Sequence, residues 1–175
     1  GVTIEKVFAL ESYRDQLAAF PQTIWVSEEI LLDLADTQTP QGIVAVIQKE
    51  EVGLPDFSQG KFLFLEDVQD PGNVGTMIRT ADAAGFTGVI VSDKSADIYR
   101  LKTLRSMQGS HFHLPIYRMP LATCVEEAKK SNLPILATTL SRDSKDYREL
   151  SPLENFALVM GNEGQGISSV MAESA

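Results

Sequence analysis

The chain has 175 residues, of which 43% are hydrophobic and 22% charged, and its 24 acidic residues outnumber its 15 basic ones for a net charge of −9. The ordinary apolar content excludes general disorder, and charges, glycines or prolines interrupt every apolar run well before the roughly 18 residues that a membrane span needs. So acidic a chain is a poor general coat for nucleic acid, and any contact with phosphate needs a local basic patch.

Cysteine usage and the first residues bear on the compartment. The one cysteine, Cys124, cannot form an intramolecular disulfide, and the first residues lack the apolar stretch of a signal peptide. Both features are typical of a reducing compartment, so we expect a cytoplasmic protein. Cys124 lies in a predicted helix without a convincing catalytic partner, and we predict that it belongs to the core.

The first 49 residues alternate short apolar runs with helical patterns. Strands are predicted over 5–10, 23–26 and 42–48, with helices over 13–20 and 28–35. Ser27 is the predicted N-cap of the second helix, with Glu28 and Glu29 in the first turn, where the helix dipole favours acidic side chains. The pattern predicts a small βαβαβ unit. Residues 50–60 contain charges, glycine and proline without periodicity, which predicts a linker.

The longer second part has the pattern of a parallel sheet. Continuous apolar runs predict strands over 61–65, 88–92, 114–117, 134–138 and 156–160, and helical patterns fall at 74–84, 97–107 and 121–130. Unbroken apolarity is typical of strands that are buried on both faces of a sheet. The alternation predicts a doubly wound α/β sheet with helices on both faces, whose ligands bind beyond the carboxyl ends of the strands.

The loop after the strand over 61–65 is the first candidate site. It has a turn at Asp70 and Pro71, and Asn73 is then the predicted N-cap of the next helix, in which Gly75 permits close approach of another backbone. Arg79 projects from the second helical turn and reaches the mouth of the loop. Singly these are a turn, a cap and a surface arginine. Together they place an amide and a guanidinium where phosphate and hydroxyl groups can be bound.

The loop after the strand over 156–160 is the second candidate. Gly161, Gly164 and Gly166 leave backbone groups open to a ligand. Their order differs from the dinucleotide fingerprint, and no lysine follows as a P-loop requires. Glu163 would repel a phosphate and suits a cationic ligand or an amine donor. The glycines alone leave a plain turn and a ligand-binding loop equally open.

The densest basic stretch comprises Arg100, Lys102 and Arg105 at helical spacing. Such a run is usually a solvated helix face, but in an acidic chain it is the best local candidate for phosphate contact. His111 and His113 lie two residues apart at the entry to a strand, and no cluster of further metal ligands accompanies them. We therefore predict no metal site.

As an ordered set these segments resemble the signatures of a known enzyme family. LEDVQDPGNVGTMIRTADAAG resembles the first signature of the SpoU (TrmH-type) RNA ribose methyltransferases, and ALVMGNEGQGIS resembles the second. LKTLRSMQGSHFHLPIY is similar to the family's middle segment, so the resemblance covers about residues 62–169. Residues 1–49 resemble the later part of the small ribosomal-protein-like RNA-binding domain that often precedes it.

The resemblance implies an α/β-knot fold of the SPOUT type, with 1–49 as a partial substrate-RNA-binding domain and 61–175 as the methyltransferase domain. It implies S-adenosylmethionine as methyl donor, a ribose 2′-hydroxyl of RNA as acceptor, and a homodimer with the site near the subunit interface. The catalytic residues that match the signatures are Asn73, Arg79 and Glu163. Expected contacts to the cofactor come from Thr138, Leu140, Met160, Gly161, Asn162 and Gly164.

The roles of the matched residues follow from their chemistry. Arginine stays protonated in nearly any site, so we expect Arg79 to bind RNA phosphate and to stabilise a developing alkoxide instead of acting as a base. Glu163 would orient Arg79 or Asn73. Further RNA contacts are expected from Arg100, Lys102 and Arg105.

The family's third signature, a stretch with Ser-Leu-Asn, should follow the second, and the printed sequence ends before it. We therefore expect a fragment, or a chain whose ends are not represented, and if these 175 residues are the whole chain the knot is incomplete. Ribosomal RNA is the expected substrate because the preceding segment resembles a ribosomal-protein fold, with transfer RNA as the alternative. Two other classes stay open: a Rossmann enzyme with a nucleotide cofactor, which the absent fingerprint disfavours, and a non-catalytic RNA-binding or assembly module.

Overall fold

The structure is a computed structural model that describes residues 2–35, 37, 39–49, 51–141 and 144–175. It divides into two compact units, the first extending to Glu51 and the second running from Val52 to Ala175. Among these described residues, none of the helices combines the length and the apolar composition of a membrane-spanning segment.

The first unit is a three-stranded sheet with one helix. Its elements are β1 (Ile4–Ala9), β2 (Thr23–Trp25), α1 (Glu28–Ala35) and β3 (Ile43–Ile47), in sheet order β2-β1-β3. Strand β2 runs parallel to β1, whereas β3 is antiparallel to it. The predicted cap at Ser27 is present, since its Oγ accepts from the N–H of Ile30 at 3.4 Å. Leu31 of α1 and Val7 of β1 are buried and form part of the core.

The helix predicted over 13–20 is wrong. The chain forms a 3-10 helix over Glu11–Tyr13 and then turns, in which the N–H of Phe20 donates to the carbonyl of Leu17 at 2.8 Å. The physical reason is burial: none of residues 13–20 is buried. A helix of this length is unstable unless an apolar face packs against something.

The second unit is a five-stranded parallel sheet. Its elements are β4 (Lys61–Leu65), α2 (Pro71–Ala83), β5 (Gly88–Val91), α3 (Leu101–Met107), β6 (Ile116–Arg118), α4 (Leu121–Lys130), β7 (Ile135–Ala137), β8 (Phe156–Met160) and α5 (Ser169–Ala172). The strand order is β6-β5-β4-β8-β7, and each neighbouring pair is parallel. The predicted parallel α/β sheet is confirmed.

Two apolar clusters cover the two faces of this sheet. Phe62 and Phe64 of β4 belong to the cluster that contains α4, and the alternating Leu63 and Leu65 belong to the cluster that contains α2 and α3. Helices on both faces are thus confirmed. Cys124 lies in the first cluster, and burial raises the pKa of its thiol to about 11. It is a protonated core residue, as predicted.

The segment that leads into β4 already belongs to the second unit. Phe57, inside the predicted linker, is only 4% exposed. Its ring packs edge-on against Phe62 and Phe64, with centroids 4.9 and 5.8 Å away. An aromatic side chain that is held in this way by two core rings anchors the end of the segment to the sheet.

Strand order sets the position of the two candidate loops. β4 and β8 are central neighbours, and Leu65 pairs with Met160 at their carboxyl ends. Because the strands are parallel, the loops that follow them emerge side by side at one edge of the sheet. That edge is where ligands of such sheets bind.

Candidate active site

The loop after β4 ends in a capped helix start. Oδ1 of Asp70 accepts from the N–H of Asn73 at 2.9 Å, and Pro71 is the first residue of α2. The prediction that Asn73 is the N-cap is therefore wrong, because Asp70 takes the capping position and proline is suited to the first helical position. The side chain of Asn73, inside the first turn, is left to make other contacts.

The carboxylate of Glu163 joins the two loops. Its Oε1 accepts from Nδ2 of Asn73 at 3.1 Å and from the N–H of Asp70 at 3.1 Å. Its Oε2 accepts from the N–H of Gln69 at 3.2 Å. This one side chain therefore joins the loop after β4 to the loop after β8, which are called the two signature loops below.

The protonation of Glu163 follows from these contacts. Slight burial acts to raise its pKa, but hydrogen bonds from its own N–H, from Asn73 and from the N–H groups of Asp70 and Gln69 outweigh this and hold the pKa below its usual value. The side chain is thus an ionised acceptor at neutral pH. It can orient donors such as the Asn73 amide, and it is a weak base.

The glycine-rich loop after β8 is a closed turn. Asn162 and Gly166 exchange two backbone hydrogen bonds, of 3.0 and 2.8 Å. Oδ1 of Asn162 accepts from the N–H of Gly164 at 2.9 Å, and its Nδ2 donates to the carbonyl of Asp67 at 2.8 Å. A Cβ on Gly161 would lie 2.2 Å from the carbonyl carbon of Gly166, so this turn requires glycine at position 161.

Glu66 is a second bridge, which sequence reasoning missed. Its two carboxylate oxygens accept from Oγ and N–H of Ser168 at 2.7 and 2.8 Å. Ser168 in turn caps α5, since its Oγ accepts from the N–H of Met171 at 3.3 Å. The sequence did contain a signal for this contact: Glu66 directly follows a central strand, and Ser168 precedes a helical pattern.

The residues expected to contact a cofactor line the neighbouring ends of β7 and β8. Thr138 donates twice to the carbonyl of Val159, from N–H at 3.1 Å and from Oγ1 at 3.0 Å, so its hydroxyl is used within the sheet. The side chain of Leu140 is fully exposed. A Cβ on Gly164 would make an ordinary van der Waals contact, 3.6 Å from Oδ1 of Asn162.

Two cavities lie beside these loops. The smaller, of about 160 Å³, is lined by Glu66, Asp67, Asn162 and the end of the glycine-rich loop. The larger, of about 330 Å³, lies at the ends of β4, β5 and β6 and is lined in part by Ser92 and Lys94. Of the predicted site residues, Asn162 lines the smaller cavity. Asn73 and Glu163 do not line it, and their contact lies on the open surface beside it.

The predicted cations differ in their surroundings. Arg79 is exposed on the third turn of α2, because the helix starts at Pro71, and within the described ranges no hydrogen bond or ion pair engages it. Of the two residues that Glu163 was expected to orient, its carboxylate contacts Asn73. Nζ of Lys102 lies 3.0 Å from Oδ2 of Asp70, in the loop that leads to α2. Arg100 and Arg105 are exposed.

Helices α2 and α3 pack with their backbones close together. A Cβ on Gly75 would lie 2.5 Å from Cβ of Ser106 and 2.7 Å from the carbonyl oxygen of Thr103, which confirms the predicted close approach. Oγ of Ser106 also donates to the carbonyl of Gly72 at 2.8 Å. Helix α3, which carries Lys102 and Arg105, is thereby fixed against the first turn of α2.

The two histidines have separate surroundings. Nδ1 of His113 lies 3.3 Å from a carboxylate oxygen of Asp82. Burial, and then the nearby charge of His113, lower the pKa of His111. Across the part of the chain that the structure describes, no group of three or more His, Cys, Asp or Glu side chains is placed to hold a metal ion.

Comparison with known proteins identifies relatives of the chain. It is 43% identical over 152 residues to the 23S rRNA (guanosine(2553)-2′-O)-methyltransferase RlmP of Bacillus subtilis (strain 168), a match that covers 87% of this chain. The chain spans about 60% of the length of that relative.

Solved structures share the fold. An AdoMet-bound rRNA methyltransferase from Sinorhizobium meliloti superposes with a TM-score of 0.85 at 29% identity, over 100% of this chain and 69% of that one. The SpoU methyltransferase AviRb from Streptomyces viridochromogenes, in complex with AdoMet, gives 0.80 at 26% identity, over 99% and 71%. The predicted SPOUT-type α/β fold class is confirmed. Residues 60–175, which include the whole parallel sheet and both signature loops, match the model of the SpoU rRNA Methylase family, and the chain belongs to that family.

Proposed function

We propose that this protein transfers a methyl group from S-adenosylmethionine to a ribose 2′-hydroxyl of ribosomal RNA. The observation that carries the proposal is the carboxylate of Glu163, which holds the amide of Asn73 at 3.1 Å across the two signature loops. The relative RlmP supports the substrate, since its name specifies 2′-O-methylation of 23S rRNA. A cytoplasmic location follows from a ribosomal RNA substrate.

The edge formed by β7 and β8 fits an adenosine-bearing cofactor. Leu140 offers a fully exposed apolar side chain, and the backbone around Gly164 is open. A purine needs an apolar contact on its face and backbone donors and acceptors at its edge, which a loop of this kind supplies. We assign the cofactor to the set Thr138, Leu140, Met160, Gly161, Asn162 and Gly164. When bound, S-adenosylmethionine supplies a methyl group that is activated by its sulfonium sulfur.

The chain's own residues would position the acceptor. The 2′ oxygen forms the new bond to the methyl carbon as the carbon–sulfur bond breaks, and the hydroxyl proton passes to solvent. Arg79, which stays protonated, binds the neighbouring phosphate and stabilises negative charge on that oxygen. Asn73, fixed by Glu163, orients the ribose, and correct orientation supplies much of the rate in such a displacement.

The RNA and a second subunit complete the proposal. The exposed cations near α3, Arg100 and Arg105, contact phosphates outside the reacting nucleotide. Residues 1–49 bind substrate RNA, and two copies of the protein form a homodimer with the site near their interface. These assignments extend the family resemblance of the sequence.

The test is methyl transfer by the full-length protein to ribosomal RNA taken from cells that lack the enzyme. With labelled S-adenosylmethionine, we expect label in the RNA and one nucleotide that resists alkaline cleavage, which marks a 2′-O-methyl group. Calorimetry should show that S-adenosylmethionine binds and that nicotinamide cofactors do not. RNA binding without cofactor binding would favour the non-catalytic module, and label in transfer RNA alone would overturn the proposed substrate.

Replacing Arg79 by lysine tests its assigned role. We expect kcat to fall roughly 10- to 100-fold with unchanged affinity for S-adenosylmethionine, because lysine keeps the charge but loses the planar fork that binds phosphate in two places. Steady-state kinetics measures the change. The matched control is Arg148→Lys, at an exposed arginine whose Nε donates to Asp146 at 2.9 Å. Full activity of the Arg79→Lys enzyme would remove the role.

A further inference from the structure

Lys102 is joined to the loop that holds the Asn73–Glu163 pair. Its Nζ lies 3.0 Å from Oδ2 of Asp70, whose Oδ1 accepts from the N–H of Asn73 at 2.9 Å. The N–H of the same Asp70 donates to Oε1 of Glu163 at 3.1 Å. One continuous set of hydrogen bonds therefore runs from α3 to the carboxylate that fixes the Asn73 amide.

The backbone beneath Lys102 is held in place. Ser106, on the same helix, donates to the carbonyl of Gly72 at 2.8 Å. Gly75 lets α3 pack closely against α2, and Cε of Lys102 lies 3.6 Å from the point where a Cβ on Gly72 would be. Lys102 therefore projects from a fixed helix across the start of α2, within reach of Asp70.

The effect of this contact is local. Contact with Lys102, followed by the hydrogen bond from the Asn73 N–H, lowers the pKa of Asp70. The side chains of Lys102 and Asp70 are 66% and 44% exposed, and exposed ion pairs add little to the stability of a whole fold. What the pair can do is select one rotamer of Asp70, and with it one conformation of the loop.

We infer that Lys102 is a positioning residue for methyl transfer, which acts by holding Asp70 in the conformation that caps α2 and presents its N–H to Glu163. The inference rests on the proposed function. Lys102 was expected from the sequence to bind RNA phosphate; in the structure its ammonium group contacts Asp70, in the loop that follows β4. Contacts to phosphate then fall to the other cations of this region.

The kinetics of four variants distinguishes a positioning role of Lys102 from a role in binding RNA phosphate. Lys102→Met keeps the stem and removes the charge, and we expect kcat to fall about three- to tenfold, well below the roughly hundredfold loss that a displaced reacting group can cause. The KM for RNA and its salt dependence should stay unchanged. Lys102→Arg should restore kcat. Asp70→Asn, which still caps the helix, should match Lys102→Met, and the double variant should lose no more than either. The matched control is Lys130→Met, at an exposed lysine paired with Glu127 on α4.

The opposite pattern would overturn the inference. If Lys102 instead binds an RNA phosphate, Lys102→Met should raise the KM for RNA and leave kcat unchanged. The slope of log affinity against log salt concentration should then fall by about 1. Amide hydrogen exchange at Gln69 and Asp70 gives a readout that needs no activity. We expect a few-fold faster exchange in Lys102→Met and Asp70→Asn than in wild type or Lys130→Met. Absence of methyl transfer by the wild type would reject the proposed function, whereas unchanged exchange would reject the positioning role.

Discussion

Replacing Glu163 by glutamine is expected to reduce kcat for methyl transfer about a hundredfold, the loss that follows when a reacting group is displaced by about 1 Å. The carboxylate accepts hydrogen bonds from Asn73, Asp70 and Gln69 at 3.1 to 3.2 Å. Glutamine has the same shape, but its NH₂ group cannot accept. At least one of the three N–H donors would then face another donor, and the loop would move away from position 163.

The stability of the fold should change little in the same variant, because the donors released from Glu163 lie near the surface and can bind water. Kinetics, calorimetry with S-adenosylmethionine and thermal unfolding together separate a loss of positioning from a loss of folding. Glu154→Gln, at an exposed glutamate in the same unit, is the matched control. A Glu163→Gln enzyme with wild-type kcat would show that the Asn73–Glu163 contact is not the reacting site.

The contact between Asn73 and Glu163 could be foreseen, although the two residues are 90 positions apart. Both follow continuous apolar runs, and parallel strands place their carboxyl ends at one edge of the sheet. The sequence does not show that β8 lies next to β4, since strand order depends on how the helices cross the sheet. The resemblance of the two loops to the paired signatures of one family is what indicated that they share a site.

Other features were not predicted correctly from the sequence, because the local residues are compatible with more than one structure. Asp70 and Asn73 are both good capping residues, and proline at position 71 decides between them by starting the helix there. Three cations at helical spacing indicate a phosphate-binding face, but the spacing cannot show that Asp70 lies within 3.0 Å of Lys102. The helix expected over 13–20 failed because no core surface buries it, which is a property of the tertiary structure.

Replacing Gly161 by alanine is expected to weaken binding of S-adenosylmethionine at least a hundredfold. The new Cβ would lie 2.2 Å from the carbonyl carbon of Gly166 and 2.4 Å from the backbone nitrogen of Ile167. Backbone atoms cannot rotate aside as a side chain can, so the turn must open and break the hydrogen-bond pair between Asn162 and Gly166. Overpacking of this kind typically costs about 1–3 kcal/mol of stability.

Calorimetry with S-adenosylmethionine measures the loss, and thermal unfolding measures how much of it comes from the fold. Gly53→Ala is the matched control, because nothing lies within 4 Å of its added Cβ. Gly164→Ala is a further comparison: the turn has room for the added methyl group, so any loss of affinity in this variant would come from contact with the cofactor. If the Gly161→Ala protein folds and binds S-adenosylmethionine like wild type, the cofactor lies away from the loop after β8, because no rearrangement that admits the methyl group leaves that loop unchanged.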